Sequence, residues 1–279
     1  MKFSIITICY NPGAVLQSAV ESVLAQSYED MEYIIVDGGS TDGTVEWLMS
    51  LQEREPSVRV VSEPDKGLYD ALNKGVRLST GDVIGFVHAD DFLAHADVLA
   101  HVAEKLESTG AEALYGDLQY VGEGDGRQKM EDERGKNVEG DPSAISHPSF
   151  SVIRHWVSGE YSRKKLKWGW MPPHPTLYLK RAVYDRAKLE NGEYFDTSFS
   201  CAADYDFMMR VLSSLEVTPV YLPEVMVKMR LGGVSNRSLK HIVQKSKEDW
   251  LAIRRNKIGH VHTLAWKNLS KIGQFLRKG

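Results

Sequence analysis

The sequence predicts an α/β fold: a mostly parallel sheet with helices on both faces, followed by an irregular region and C-terminal helices. Three observations predict it. Phe3–Cys9 is an apolar, β-branched run without a charge, as a strand buried on both faces requires. Strand-like and helix-like patterns then alternate through the first hundred residues. Polar clusters follow Cys9, Val36, Val61 and Val87, and in parallel sheets ligands bind beyond the carboxyl ends of the strands.

Each element has a local reason. After the first strand, Asn11-Pro12 turns the chain, and Pro12 suits the first position of a helix carrying Val15, Ala19, Val23 and Leu24 on one face. Tyr33–Val36 reads as a second strand. Thr41-Asp42-Gly43-Thr44 opens a helix through Val45 and Leu48. Val58–Val61 and Val83–Val87 are further strands, Leu68–Leu78 and about 97–107 further helices, and Ala113–Tyr115 a short strand. Residues 122–141 are charged and almost free of apolar side chains, which predicts an exposed loop or hairpin tip. From 145 to 178 the chain is rich in aromatics and proline, predicting irregular strands and loops around a cavity. Helical patterns resume near 180–189, 204–214 and 237–256.

Composition bounds the function. A chain of 279 residues with 42% hydrophobic and 26% charged residues is globular and buries a core without disulfides. Two cysteines, Cys9 and Cys201, argue for a reducing compartment. No apolar stretch is long enough to span a membrane, and FSIITICY before Asn11-Pro12 does not read as a signal peptide, so a cytoplasmic protein is expected. Residues 250–279 hold seven basic residues and no acid, leaving −11 on the rest of a chain whose net charge is −4. Basic charge confined to one end does not predict a nucleic-acid partner.

Five constellations could carry chemistry. In His88-Ala89-Asp90-Asp91 at a strand end, adjacent carboxylates suit a hard divalent cation with phosphate oxygens, or else a capped turn. Asp37-Gly38-Gly39-Ser40-Thr41-Asp42-Gly43-Thr44 lets backbone amides approach an anion, or is simply a tight turn. It lacks the lysine of a phosphate-binding P-loop, and the Gly122–Gly126 run lies in the charged loop rather than between strand and helix. Asp65-Lys66-Gly67 precedes a helix on which Asp70, Asn73 and Lys74 share a face by spacing. Asp204 opens a helix among small and aromatic neighbours, where a helix dipole favours a carboxylate. His174 follows Met171-Pro172-Pro173, and a histidine there is functional or structural. His260 and His262 lie on opposite sides of a basic segment without acidic or cysteine partners and read as structural.

Together these residues resemble the family 2 glycosyltransferases, whose fold is the Rossmann-like GT-A type. The elements occur in order: Ile5–Asn11, Val36–Thr44, Asp65-Lys66-Gly67 with Ala71, Asn73 and Gly75, Gly81-Asp82 leading to Ala89-Asp90-Asp91, Asp204-Tyr205-Asp206, and Gly232-Gly233-Val234-Ser235. The resemblance is strong over 1–118, patchy to about 236, and nearest to bacterial members that build surface polysaccharides. It implies that Thr7, Tyr10, Asn11 and Asp37 hold the nucleobase, with Asp65 and Lys66 near base and ribose. Asp91 would bind Mn²⁺ or Mg²⁺ and Asp90 would lie beside the diphosphate. Ser40, Asn73, His88 and Ala89 complete the donor set, and Asp204 would be the general base. His174, Trp170, Asp206 and Arg210 are the acceptor-side candidates. Two departures stand out: His88 where the Asp-x-Asp motif usually starts with an acid or amide, and Ala203 where many members carry Glu.

The expectation is an inverting transferase, moving a sugar from a nucleotide donor to a saccharide or lipid-linked saccharide acceptor. Asp37, able to accept the uracil imide proton, favours UDP. A non-catalytic binding module would need neither Asp91 nor Asp204; a sugar-nucleotide pyrophosphorylase should open with a Gly-rich basic loop, unlike Tyr10-Asn11-Pro12-Gly13. The domain expected is 1–236, with a donor half (1–118) and an acceptor half (119–236). A basic helical extension, 237–279, would follow. Trp156, Trp168 and Trp170 either stack on acceptor sugars or form core. Leu264, Ala265, Leu269, Ile272, Phe275 and Leu276, with Lys267, Lys271, Arg277 and Lys278, would let residues 258–279 lie on anionic lipid at the inner face of the membrane, or pack on the domain.

Overall fold

The structure is a computed structural model that describes residues 1–123, 150–231 and 239–267. Its first part is β1 (Phe3–Cys9), α1 (Val15–Leu24), β2 (Met31–Asp37), α2 (Thr44–Arg54), β3 (Val58–Ser62), α3 (Leu68–Leu78), β4 (Val83–Phe86), β5 (Asp91–Leu93), α4 (Val98–Thr109) and β6 (Ala113–Glu123). Then come β7 (Phe150–Trp156), α5 (Arg163–Leu166), a 3₁₀ turn (His174–Thr176), β8 (Tyr178–Lys180), α6 (Arg181–Ala187) and α7 (Ala203–Met209). A π turn (Arg210–Ser214), β9 (Val220–Arg230), α8 (Leu239–Arg255) and a helical run over 261–267, α9, follow.

The strands form one sheet in the order β3-β2-β1-β4-β8-β6-β9-β5, with β7 on β6. By their pairing, β1, β2, β3, β4, β6 and β9 point one way, and β5, β7 and β8 the other. Alternation along β1 builds a core on each face. Phe3 and Ile5 pack under α1, α2 and α4, while Ile6 and Ile8 face α3, α6, α7 and α8. Both faces of the central strands are therefore buried, which explains their unbroken apolar runs.

The expected elements of the first hundred residues are present, with local corrections. Helix α1 starts at Val15 rather than Pro12, because Asn11 (φ 45°) and Gly13 (φ 60°) first turn the chain through left-handed backbone. Its buried stripe is accordingly Leu16, Ala19, Val20 and Val23, with Val15 exposed. Strand β6 runs eleven residues rather than three, and β5 and β9 were not anticipated. The β9 sequence VYLPEVMVKMR mixes charge and Pro223 into its apolar positions, so it lacks the pattern of a buried strand.

The C-terminal region is no separate appendage over its described part. Ala252, Ile253 and Ile258 belong to the core that also holds α7, and Asn256 Nδ2 donates to Asp206 Oδ1 at 3.0 Å. In α9, Thr263 and Lys267 are buried; Lys267 pairs with Asp249 at 2.7 Å and lies over the Tyr205 ring. Of the two alternatives for this segment, Lys267 and Leu264 take the second and pack on the domain. The Gly232–Ser235 motif, most of the charged loop and residues 268–279 lie outside the described residues.

Candidate active site

The loops after β1 and β2 are laced together. Asn11 N donates to Ser40 Oγ (2.7 Å), Thr41 N to Asn11 Oδ1 (2.8 Å), Gly13 N to Asp42 Oδ2 (3.0 Å) and Gly38 N to Cys9 O (2.9 Å). Tyr10 projects from this platform, 66% exposed.

Asp37, expected at the nucleobase, is fully buried and fully engaged. Its Oδ2 accepts from Gly39 N (3.0 Å), Ser40 N (2.9 Å) and Ser62 Oγ (2.7 Å), and its Oδ1 from Ser40 Oγ and Cys9 Sγ. Burial alone would raise its pKa, but these donors outweigh it and hold the carboxyl below its ordinary value. Asp37 shapes the loop and has no edge left for a base. Ser40 is consumed in the same network.

The carboxylate that reaches this slot is Asp65. A Cβ on Gly38 would meet Asp65 Oδ2 at 2.9 Å and the Tyr10 ring at 3.4 Å, so the missing side chain at 38 makes room for Asp65. Asp65 Oδ1 pairs with Lys74 Nζ, which also contacts Glu63 (3.0 Å) and Asp70 (3.6 Å). Burial raises Asp65 and would lower Lys74; the contact between them decides for the charged pair. Lys66 is exposed beside them.

The polar atoms of two other donor candidates are engaged inside the protein. The Thr7 hydroxyl donates to Val87 O (2.6 Å) and accepts from Tyr33 OH (2.8 Å), all inside the core. Asn73 is fully buried: its Nδ2 donates to Phe195 O (2.8 Å), and its Oδ1 accepts from Tyr194 N and Phe195 N (both 2.9 Å). Asn73 therefore shares the inward face of α3 with Tyr69, four residues away, and not the face of Asp70 and Lys74.

Past β4 lies the acidic corner. Asp91 heads β5, is fully buried, and neither of its carboxylate oxygens has a hydrogen-bond partner among the described residues. Burial and the adjacent Asp90 push its pKa well above the ordinary range, with Arg230 pulling the other way. Such an orphaned carboxylate calls for a cation. With Asp90 alongside, the donor set is all oxygen and fits a hard divalent ion such as Mn²⁺ or Mg²⁺. Strand β9 holds this corner: Asp91 lies opposite Met229, and Arg230 donates to Asp90 O (3.3 Å) and stacks on Phe92.

His88 packs 5.8 Å from His174, whose ring lies tilted over Phe86 and meets Phe195 edge-on. Burial lowers both imidazoles, His174 to about 4, so both are neutral near pH 7. Asp204, in the first turn of α7, exerts its charge on both rings, and its Oδ1 accepts from Tyr69 OH at 3.1 Å. The structure thus brings Asp90, His88, His174 and Asp204 to one edge of the sheet, beside the Tyr10–Asp65 slot.

Asp206 and Arg210, the other acceptor-side candidates, are engaged within the protein. Asp206 is buried against Asn256 and Arg210 (3.4 Å), and Arg210 donates to Ala187 O and to Tyr194 O (2.8 Å). The tryptophans do not cluster. Trp170 packs on Tyr115 and Tyr161 and donates to Ser158 O, Trp156 belongs to the opposite core, and Trp168 is exposed near His262 and Trp266. His260 and His262 lie together, with ring centroids 6.1 Å apart, rather than on opposite sides. Sequence reasoning missed Tyr69 and Arg230. The four-residue spacing of Tyr69 and Asn73 was the available signal for the first; nothing local marks the second.

Comparison with known proteins adds an independent line. The profile of Glycosyl transferase family 2 matches residues 4–186. A Mycobacterium bovis protein named PGL/p-HBAD biosynthesis glycosyltransferase is 40% identical over 121 residues, 42% of this chain. The match spans only 46% of that relative's length. Among solved structures, S. aureus TarS 1-349 in complex with UDP-GlcNAc aligns over 92% of this chain and 65% of its own, with TM-score 0.61 and 18% identity. The Pyrobaculum calidifontis mannosyltransferase PcManGT, in complex with GDP-Man and Mn²⁺, aligns over 99% and 76%, with TM-score 0.58 and 17% identity. At these identities the structural likeness speaks to the fold.

Proposed function

The chain belongs to glycosyl transferase family 2, and from that premise we propose that it is a metal-dependent, inverting glycosyltransferase. It moves a sugar from a nucleoside-diphosphate donor, a UDP-sugar by preference, to a hydroxyl of a saccharide or lipid-linked saccharide, in bacterial polysaccharide or glycolipid synthesis. The observation that carries the reading is the buried Asp91, without a hydrogen-bond partner among the described residues, beside Asp90, with His88 under the charge of both Asp90 and Asp204.

Tyr10, Asp65 and Lys66 would receive the base and ribose; Asp65 Oδ2, beside the gap at Gly38, would accept a uracil imide proton, and the engagement of both Asp37 oxygens supports this choice over Asp37. Asp90 and Asp91 would hold the divalent ion, whose chemistry is to neutralise charge on the departing diphosphate. With Oδ1 held by Tyr69, Asp204 Oδ2 takes the acceptor hydroxyl proton. The acceptor oxygen bonds to the anomeric carbon as the bond to the diphosphate breaks on the opposite face, inverting the centre.

Thermal shift with UDP, GDP and their sugars, with and without Mn²⁺, tests the donor side. UDP with Mn²⁺ should stabilise the protein, and Asp91→Asn should abolish the Mn²⁺-dependent part while the fold survives. Stabilisation by GDP alone would overturn the donor assignment, and undiminished Mn²⁺ dependence in the variant would remove Asp91 from the site. Pyrophosphate exchange in place of sugar transfer would favour a pyrophosphorylase.

Peripheral membrane contact is part of the proposal. No helix among the described residues is long and apolar enough to cross a bilayer. Trp168, Val261 and Trp266 are 53–66% exposed, beside a hollow of about 530 Å³ lined by Lys167, Arg254, Lys257, His260 and His262. Aromatic and basic side chains together suit an anionic lipid surface. Co-sedimentation with phosphatidylglycerol vesicles should fall in Trp168→Ser/Trp266→Ser, and unchanged binding would refute the contact.

A further inference from the structure

On the strand pair that carries Asp91, a second group of metal-binding side chains has no part in the chemistry above. His95 follows β5, His101 lies in α4 and Glu224 in β9. His95 Nε2 is 2.6 Å from Glu224 Oε1, His101 Nδ1 is 2.8 Å from Oε2, and the donor atoms of all three lie within 4.8 Å of one another. Their backbone is fixed independently: Ala94 N donates to Met226 O (2.9 Å), Gln26 Nε2 to His95 O (2.8 Å) and His101 N to Asp97 O (3.0 Å).

Ion pairing alone leaves one feature unaccounted for. Glu224 Oε1 is shut off from solvent and has no hydrogen-bond partner among the described residues, although His95 Nε2 is so near. A close imidazole nitrogen that is not aligned to donate is relieved by an ion bound to both atoms. Two imidazoles and one carboxylate are the donors preferred by first-row divalent transition metals, unlike the all-oxygen set at Asp90 and Asp91. For bonds of about 2.1 Å, right-angled ligands stand about 3.0 Å apart and tetrahedral ones about 3.4 Å. The observed 2.6 and 2.8 Å edges are nearer the right-angled case. His95 and His101 are 38% and 45% exposed, leaving the outer positions to water.

We propose that His95, His101 and Glu224 form a second metal site, for Zn²⁺ or a neighbouring first-row ion, distinct from the one at Asp91. Capture at His95 Nε2 moves that ring's proton to Nδ1 and gives up the long 3.2 Å contact from Asp97 N. The bound ion would brace α4 and the β5 loop against β9. The site rests on geometry alone and stands or falls apart from the transferase reading.

The test is a Zn²⁺ titration of the purified chain against a chromophoric chelator, with Co²⁺ absorption as a report on coordination. One Zn²⁺ should bind in wild type and equally in Asp91→Asn and in His260→Ala/His262→Ala. His101→Ala and Glu224→Gln should each weaken it by about tenfold or more and abolish the Co²⁺ visible bands. His95→Gln is a third variant should either of these fail to fold, as judged by circular dichroism without metal. Failure of wild type to bind micromolar Zn²⁺, or binding unchanged in the folded variants, would leave only the ion pairs and overturn the site.

Discussion

The donor loops are held by near neighbours in consecutive strand–loop–helix units. Asp37, for example, is fixed by Cys9, Gly39, Ser40 and Ser62. Asp204, on the acceptor side, is positioned by residues drawn from much of the chain. Tyr69 touches it, Asn73 clamps the backbone at 194–195, Glu248 ties down Ser200 and Cys201, and Asn256 holds Asp206. The first arrangement is closed within the loops after β1, β2 and β3. The second makes the position of Asp204 dependent on the packing of α3, α7 and α8 together.

If that contrast is right, the largest separation of effects comes from Asp204→Asn. It removes basicity while keeping size and hydrogen bonding, so turnover should fall about 10²–10⁴-fold. Donor affinity, set by the other region, should stay within about twofold by calorimetry. A matching loss of donor affinity would break the division between the two regions, and wild-type turnover would remove Asp204 as the base.

A pair of carboxylates sharpens the contrast. Glu32 on the donor side accepts from Ser4 Oγ, Thr80 and Lys2; Glu248 on the acceptor side accepts from Ser200, Cys201 and Gln244. Burial would raise both, but the donors outweigh it and hold each at a pKa of about 2. A depressed carboxylate pKa stabilises the fold fully above the unfolded value near 4.5, and the contribution fades as pH falls towards 2. Glu32→Gln and Glu248→Gln should each cost about 2–3 kcal/mol in urea unfolding at pH 7, with the difference from wild type shrinking below pH 4.5. Only Glu248→Gln should also slow turnover, since it loosens the segment leading to Asp204. Equal turnover losses would erase the contrast.

The same division explains what the sequence made legible. In the first hundred residues β1 and β4 are charge-free apolar runs, most turns carry Gly, Asn or Asp, and the candidate loops follow the strand ends, so Asp91 and the Tyr10 loop stand out locally. What escaped was side-chain direction. Asp37 and Asn73 have the residue types of ligands, but only packing reveals that their polar atoms are consumed by backbone amides and hydroxyls. Asp65, and not Asp37, reaches the slot beside Tyr10, because Gly38 leaves a gap that no periodicity reports. On the acceptor side, β9 and Arg230 carry no local signature, since they are defined by pairing with β5 and β6 far away in sequence.

The smallest expected effect tests the contrast at the side chain that joins the donor-region helix to Asp204 itself. Tyr69 belongs to a helix of the donor region, yet its hydroxyl donates to Asp204 Oδ1 and its ring stacks on Phe195. Tyr69→Phe keeps the stacking and deletes only the hydrogen bond. A bond to a charged acceptor contributes about 1.5–3 kcal/mol when fully formed, and at 3.1 Å the lower end applies. With its orienting partner gone, Asp204 samples more rotamers, and turnover should fall about tenfold or less. Because the hydroxyl does not touch the Tyr10–Asp65 slot, KM for the nucleotide-sugar should not move. A reduced kcat at constant donor KM would make Tyr69 a positioning residue for the base. A raised donor KM at constant kcat would instead place Tyr69 on the donor side in function as well as in sequence, and the bridge between the two regions would have to be sought elsewhere, at Asn73 or His88.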